Sequence, residues 1–414
     1  MPEKESTLSM HLSALEADFA QKNAQLHAYV AEDDRFERLH KAAAQLPAED
    51  SPLHGKLLAV KDIFHVAELP TQAGSRLPAR ALKGPQASSV SILKNAGMLV
   101  VGKSVTTEFA YFAPGPARNP HNPAHTPGGS SSGSAVAVAA GLADLALGTQ
   151  TIGSVVRPAS FCGVAGFKPS HGRIAADGLI PLAPSLDHVG LFARTTSSLA
   201  PAAAILCADW AADTQKSGKP ILAVPTGAYL QQASPEMLAH FEKAVTKLQQ
   251  AGYWVRRMDP FTDLDSIQRR HQLILAAEAA ATHAAWFHDF AHLYHARTAA
   301  LIREGQGISD SALSKARREA FDFRQTLSTL MDIHAIDLWL SPAALGPAPR
   351  GIQSTGDPAM NLPWTQAGLP SLALPAGKNA LGLPMGIQLA ADFGRDEDLL
   401  AWGSEIESAL AGLA

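Results

Sequence analysis

The chain has 414 residues, of which 46% are hydrophobic and 17% are charged, with a formal net charge of −4 at pH 7. Charged residues average about a quarter of a globular protein, so this composition favours a chain with a large buried core. The basic residues form no run or pole, which argues against nucleic-acid binding. Two cysteines, Cys162 and Cys207, exclude a disulfide framework.

Helices and strands are predicted to alternate along most of the chain. Apolar spacing predicts helices over 7–32, 86–96, 134–142, 235–251, 265–333 and 395–413. Short apolar runs predict strands at 57–63, 98–101, 145–148, 221–224, 338–340, 372–374 and 385–389. Loops are predicted from the first helix to Pro52, over 113–134 and over 149–173. This alternation is typical of a single α/β domain whose sheet is covered on both faces.

No membrane or export segment is predicted. The first residues, Met1–Glu5, lack the basic and apolar regions of a secretory signal. The apolar stretches 134–148 and 274–286 are shorter than the roughly 20 residues needed to span a bilayer. We therefore expect a cytoplasmic protein that does not bind a membrane.

Three short motifs match known patterns but lack the required context. Gly97–Ser104 has the letters of a phosphate-binding loop, but its middle is apolar and predicts a buried strand. Gly129–Gly133 matches the GxSxG motif of serine esterases, but a proline-rich stretch precedes it and the last histidine, His334, lies far from the end. His288–His292 imitates a zinc motif with Asp in place of Glu, on a segment rich in histidine. We expect a strand, no Ser-His-Asp triad and no metal site, and we expect Cys162 to be a small buried hydrophobe.

A serine-rich loop, a later Gly/Ser loop and a lysine after an apolar strand occur together. The stretches involved are Val60–Asp62, Gly102–Phe109, Gly128–Ala135, Ala139–Ala143, Leu147–Ser154, Arg157–Gly163, Gly166–Pro169 and Gly382–Gln388. On these residues the chain resembles the amidase signature family from about residue 50 to the C-terminus. Thr149–Thr151, Val155–Pro158 and Ser354–Pro358 resemble its malonamidase branch most.

The resemblance implies a single-domain amidase-signature fold over 1–414, an α/β fold with a large mixed β-sheet covered by helices on both faces. Within it we expect an N-terminal helical segment over 1–50, a signature core over about 50–200 and a mainly helical covering region over about 235–335. No cofactor and no metal are implied.

The family's Ser–cis-Ser–Lys triad corresponds to Ser154, Ser130 and Lys61. A serine nucleophile needs a base, and no histidine accompanies either serine-rich loop. A lysine serves if burial keeps its amine neutral, and the apolar residues before Lys61 would carry it inside. Without the resemblance, an ion pair with Asp62 would be preferred for Lys61, and a helix cap would be the alternative for Ser130.

The backbone N–H groups of Thr151, Ile152, Gly153 and Ser154 would form the oxyanion hole that the family uses. Ile152 departs from the family, which usually has a small residue there, so the hole is reshaped or the pocket narrowed. Arg157, helped by Thr149, would bind a substrate carboxylate as the malonamidase resemblance suggests; pairing with an acidic neighbour is the alternative.

We therefore predict an amidase that hydrolyses a small-molecule carboxylic amide through an acyl-enzyme on Ser154. Four points stay open: an esterase or carbamate hydrolase on the same triad, the glutaminase subunit of a tRNA amidotransferase, an inactive ligand-binding scaffold, and a homodimer. The amidotransferase subunits are expected to be longer and dependent on partners.

Overall fold

The computed structural model describes residues 2–46, 51–211 and 218–413. Ten strands, β1 to β10 in chain order, span Leu57–Lys61, Leu99–Ser104, Leu145–Gln150, Ala165–Lys168, His188–Ala193, Leu222–Pro225, Val255–Met258, Leu338–Pro342, Ser371–Lys378 and Pro384–Ala390 in the described residues. Fourteen α-helices, α1 to α14 in these same ranges, span Pro2–Leu26, Arg35–Ala44, Ser88–Asn95, Ser132–Ala139, Val156–Cys162, Thr196–Leu206, Gly227–Gln231, Pro235–Gln250, Leu264–Thr282, Ala284–Phe290, Ala296–Gln306, Asp310–Ile333, Leu362–Gln366 and Asp396–Leu410.

The strands form one mixed sheet, as predicted. Its order is β2-β1-β3-β5-β4-β9-β10-β8-β6-β7. Strand β1 is parallel to β2 and β3, and β6 is parallel to β7 and β8. The pairs in the middle of the sheet are antiparallel. The prediction of an α/β fold with a single large mixed sheet is confirmed.

Helices cover both faces of this sheet, and β1 shows why. Successive strand residues face opposite sides, and all five residues of β1 are buried. Leu58 and Val60 belong to a hydrophobic cluster that includes residues of α3 and α6. Leu57 and Ala59 belong to another cluster, with residues of α4 and α5. A strand buried on both faces reads as a continuous apolar run, which is how the sequence revealed it.

Helices α9, α11 and α12 pack against the loop that precedes β5. Residues of α9, α11 and α12 form a hydrophobic cluster with Leu182, Ala183 and Leu186, which precede β5. The half-buried side chains of Tyr111 and Ile152 pack against that cluster. These helices therefore support the loop that follows β3, which contains Ile152.

Several predicted element bounds are wrong. The expected loop over 149–173 contains α5 and β4, and these two elements are entirely buried, so they show no amphipathic pattern. The first helix ends at Leu26, and α2 occupies part of the expected loop before Pro52. That loop also includes residues 47–50, which lie outside the described ranges. Strands β5 and β7 and helix α6 were not predicted.

The described part of the chain contains no helix that is both long enough and apolar enough to cross a membrane.

Candidate active site

Two parallel strands bring Lys61 and Thr149 to one edge of the sheet. Lys61 is the last residue of β1, and Thr149 is the penultimate residue of β3, which pairs with β1. Lys61 Nζ lies 2.7 Å from Ser130 Oγ and 2.8 Å from Thr149 Oγ1, within hydrogen-bond distance of both. The lysine is completely buried. Its side chain is therefore held between two hydroxyl groups, away from water.

The environment of Lys61 favours the neutral amine. Burial lowers the pKa of Lys61 well below its usual value, and the negative charge of Asp187 opposes this shift. The ion pair with Asp62 that the sequence alone would have favoured does not form. Asp62 Oδ1 instead lies 2.7 Å from Lys103 Nζ, on the neighbouring strand β2.

Ser130 and Ser154 meet at one cavity. Ser130 precedes α4 and follows a cis Gly129–Ser130 peptide bond, as the resemblance implies. The helix begins at Ser132 and its N-cap position is Ser131, so Ser130 is not the cap. Both Ser130 and Ser154 line one small cavity that opens to the surface. This arrangement exposes two serine side chains to the same small space.

Residues 151–154, which we call the oxyanion segment, leave their backbone N–H groups available. Within the described residues none of these four N–H groups donates a hydrogen bond to another protein group. The next two N–H groups, those of Val155 and Val156, bind Gln150 Oε1 at 2.8 and 3.0 Å. Unpartnered N–H donors beside a serine hydroxyl are the geometry that an oxyanion hole would require.

Side chains from distant elements fix this segment. Thr151 Oγ1 donates to Asp187 Oδ1 at 2.6 Å. Thr365 Oγ1, on α13, donates to the carbonyl of Ile152 at 2.6 Å. A side chain at Gly153 would collide with Asn361 and Pro358, so only glycine fits there.

Asp187 itself is buried against this segment. Its Oδ2 accepts hydrogen bonds from the N–H groups of Leu182 and Ala183 at 2.8 and 3.0 Å. Burial raises the pKa of Asp187 to about 6, and these hydrogen bonds together with that from Thr151 oppose the shift. The Asp187 carboxyl group therefore holds the oxyanion segment through Thr151, and its negative charge raises the pKa of Lys61.

Ile152 fits its position without backbone strain. It is not among the described non-glycine residues with a positive φ. Its side chain is half-buried and lines the cavity together with Leu182 and Tyr111. Of the two expected consequences, the geometry favours a narrowed pocket, because the oxyanion N–H groups stay unpartnered.

Arg157 is a buried cation at the cavity wall. Its Nε donates to the Thr355 carbonyl at 2.8 Å, and its Nη2 donates to the Gly129 carbonyl at 2.7 Å and to Thr355 Oγ1 at 3.2 Å. Nη1 is buried and has no protein partner in the described residues. Burial lowers the pKa of Arg157 to about 10, which the charge of Asp357 opposes. No acidic side chain of the described chain forms an ion pair with this arginine.

The structure places the remaining candidates as follows. Thr149 was predicted to contact substrate, but its hydroxyl lies against Lys61, and Thr149 does not line the cavity. Thr355, which does line it, belongs to the Ser354–Pro358 stretch that carried part of the resemblance. Asp187 and Thr365 were missed because no motif marks them and their contacts depend on the tertiary fold.

The three rejected motifs have other roles. Residues 99–104 form β2, and Lys103 is committed to its ion pair with Asp62. The described residues contain no group of three or more His, Cys, Asp or Glu side chains that could hold a metal ion. Ser131 Oγ, at the centre of the GxSxG motif, donates to the Thr149 carbonyl at 3.1 Å. Cys162 is buried, and burial raises the pKa of its thiol above the usual range.

Known proteins resemble this chain over nearly its whole length. The profile of the Amidase family matches residues 12–400. One glutamyl-tRNA(Gln) amidotransferase chain, the A component from Synechococcus sp. (strain WH7803), is 31% identical, over 92% of this chain and 87% of that protein. The component of the same name from Thermus thermophilus is 32% identical, over 87% of this chain and 86% of that protein. A crystal structure of an amidase superimposes with a TM-score of 0.86 at 29% identity and covers 99% of both chains.

Proposed function

This chain is an enzyme of the Amidase family, and we propose that it hydrolyses carboxylic amides through an acyl-enzyme on Ser154, with Ser130 and Lys61 as its proton relay. The observation that carries the proposal is the buried Lys61 amine, 2.7 Å from the hydroxyl of Ser130. Ser130 in turn shares a cavity with Ser154.

The first half-reaction forms the acyl-enzyme. Ser154 Oγ attacks the amide carbon and gives its proton to Ser130 Oγ, while the proton of Ser130 moves to the neutral amine of Lys61. The carbonyl oxygen becomes an oxyanion, which the free N–H groups of the oxyanion segment stabilise. Each such donor contributes about 2.7–4 kcal/mol to lowering the barrier.

Collapse of this intermediate breaks the C–N bond. The departing nitrogen takes a proton from Ser130, and Ser130 recovers one from the Lys61 ammonium, so the relay returns to its starting state. Water then attacks the ester carbonyl by the same route in reverse, which releases the carboxylate and restores the hydroxyl of Ser154. The relay needs no histidine and no metal.

The cavity favours a small amide that carries a carboxylate, as in the malonamidase branch. Arg157 is buried at its wall with one N–H-bearing nitrogen unpartnered, and a guanidinium binds a carboxylate through charge-assisted hydrogen bonds. The buried cation thus gains a counter-charge when an acidic substrate enters.

A second candidate, the glutaminase component of an amidotransferase, is favoured by the names of the similar proteins. Glutamine carries an α-ammonium group, and a buried ammonium requires an anionic partner. The described residues that line the cavity include one arginine and no aspartate or glutamate. This lining supports hydrolysis of simple acidic amides over glutamine hydrolysis. Esters and carbamates share the acylation step and stay within reach of the same triad.

The test is ammonia release by the purified chain alone from acetamide, the monoamide of malonic acid, and glutamine, with matched esters and carbamates. We expect the acidic monoamide to be preferred and Ser154→Ala to lower kcat by about 10⁴-fold or more. Ser91→Ala, on α3 and outside the cavity, is the matched serine control. An alkyl fluorophosphonate should label the wild type and Ser91→Ala but not Ser154→Ala. Absence of both turnover and labelling would establish an inactive scaffold.

The same panel tests the role of Arg157. Arg157→Met should raise KM for the acidic monoamide at least tenfold more than KM for acetamide. Loss of the hydrogen bonds to Gly129 and Thr355 affects both substrates, whereas loss of the charge-assisted contact affects only the anionic one. Equal effects on both amides would show that Arg157 has a structural role instead. A preference of the wild type for glutamine would favour the amidotransferase alternative.

A further inference from the structure

Ile152 places a large apolar side chain inside the oxyanion segment. It lies two positions before Ser154, and its side chain lines the cavity. A branched four-carbon side chain therefore occupies space beside Ser154 that a substrate would otherwise fill.

The backbone that carries Ile152 cannot easily move aside. Its carbonyl accepts the 2.6 Å hydrogen bond from Thr365, and the preceding residue, Thr151, is held by Asp187. At the following residue, Gly153, even an added Cβ would collide with Asn361 Oδ1. The side chain is also β-branched, which limits its rotamers. Ile152 is thus fixed at both the backbone and the side chain.

The apolar wall behind Ile152 is densely packed. Ile152 contacts the cluster that contains Leu182 and two residues of α9, Ile274 and Leu275. These three side chains are at most 2% exposed. Close-packed interiors do not yield to an extra methylene group without strain. A longer substrate chain therefore cannot push this wall back at low cost.

We propose that Ile152 is a specificity-determining residue that restricts the enzyme to short acyl groups. This inference rests on the proposed function and names its substrate class: amides of small acids. Arg157 selects for charge at the cavity wall, and Ile152 limits chain length.

The acyl group is the part of the substrate that Ile152 meets. The departing amine must lie beside Ser130, which protonates it and which belongs to a different loop. The acyl group stays bonded to Ser154 and holds its oxygen against the oxyanion segment, of which Ile152 is part. A side chain on this segment therefore faces what remains on the enzyme after the amine leaves.

The experiment compares wild type, Ile152→Val, Ile152→Ala and Ile152→Gly on straight-chain primary amides from acetamide to octanamide. One methylene group in a hydrophobic pocket changes selectivity about 10- to 200-fold. We expect kcat/KM for octanamide relative to acetamide to rise at least tenfold in Ile152→Ala, further in Ile152→Gly and less in Ile152→Val.

Ile308→Ala is the matched control. Ile308 packs against the same hydrophobic cluster but does not line the cavity, so its selectivity should equal that of the wild type. N-alkyl acetamides form a second control, because they lengthen only the leaving group. An unchanged chain-length profile in all three Ile152 variants, or a change confined to the N-alkyl series, would overturn the inference.

A second readout separates this inference from the proposed function. Rates of labelling by alkyl fluorophosphonates of increasing chain length depend on the serine and the pocket but not on amide cleavage. If the wild type cleaves no amide, the proposed function fails while the labelling series still tests Ile152. If short and long probes label wild type and Ile152→Ala at the same ratio, the inference fails even in an active amidase.

Discussion

Two buried lysines lie on neighbouring strands of the sheet, and only one of them contacts a carboxylate. Lys61 ends β1, and Lys103 is the penultimate residue of β2, where it pairs with Val60. Lys103 Nζ lies 2.7 Å from a carboxylate, that of Asp62, and 2.9 Å from Thr71 Oγ1. Within the described residues Lys61 Nζ contacts no carboxylate: its neighbours are the hydroxyl groups of Ser130 and Thr149, with the Thr149 carbonyl at 3.5 Å.

The comparison shows that the partner, and not burial alone, determines what a buried lysine does. A carboxylate in direct contact compensates the ammonium charge and makes the pair a structural unit. Hydroxyl groups provide no net charge, so burial shifts Lys61 towards the neutral amine, which is the form that accepts a proton. Asp187 affects Lys61 through its negative charge, which raises the pKa of Lys61 and partly offsets the effect of burial.

The largest expected effect is the loss of activity in Lys61→Met. The substitution keeps an unbranched side chain of similar length but removes the proton acceptor, so we expect kcat/KM for amides to fall by about 10⁴-fold. The free energy of unfolding should change by only about 1–2 kcal/mol, the contribution of one or two hydrogen bonds. Turnover assays and urea denaturation measure the two quantities. Near-normal turnover in this variant would refute the proton relay.

Lys103→Met should show the opposite pattern. Removing one partner leaves the charge of Asp62 buried and uncompensated, which costs about 3–5 kcal/mol of unfolding free energy. Turnover per folded molecule should stay within tenfold of the wild type, because Lys103 Nζ contacts Asp62, Pro70 and Thr71 and not Ser130. Urea denaturation and active-site titration with a fluorophosphonate measure both.

A second substitution tests the cause of that instability. In Lys103→Met with Asp62→Leu, both charges are gone, so most of the lost unfolding free energy should return. If the double variant is no more stable than Lys103→Met, the ion pair is not what stabilises this region. The contrast between the two lysines would then have to be explained by packing alone.

Much of the candidate site could be predicted from the sequence because its residues lie in short contiguous motifs. Lys61 follows an apolar run, and Ser130 and Ser154 lie in loops rich in Gly and Ser. The structure brings Lys61 next to Ser130 and places both serines at one cavity. The contact of Thr149 with Lys61 was missed because it depends on the register of β1 and β3.

Other features depend on contacts that no local pattern encodes. The hydrogen bond from Thr365 to the Ile152 carbonyl spans 213 positions of the chain. Helix α5 and strand β4 are too short and too uniformly buried to show a helical or alternating period. Asp187 lies in no motif. It comes close to the oxyanion segment because the next residue, His188, pairs with Gln150 in the antiparallel strands β5 and β3.

The smallest expected effect, and the one that tests the field at Lys61 most directly, is a shift in the pH profile of Asp187→Asn. The neutral amine is the active form, so kcat/KM of the wild type should rise with pH through the pKa of Lys61. The Asp187 carboxylate raises that pKa, and removing the charge should therefore move the acid limb to lower pH. Because burial raises the pKa of Asp187 itself to about 6, the shift should be seen above that pH and shrink below it.

The kcat of Asp187→Asn should also fall, because an amide cannot accept hydrogen bonds from the Thr151 hydroxyl and from two N–H groups as a carboxylate does. This loss alone would lower the rate at every pH and would not shift the acid limb of the pH profile. Glu278→Gln is the matched control. The charge of Glu278 raises the pKa of Asp187, whereas the pKa of Lys61 is set by burial and by the charge of Asp187. Profiles of kcat/KM from about pH 5 to 10 cover the pKa of about 6 to which burial raises Asp187. They also cover the region below the usual lysine pKa into which burial moves Lys61, so they decide the matter. Coincident acid limbs in wild type and Asp187→Asn would mean that the two hydroxyl groups and burial alone set the basicity of Lys61.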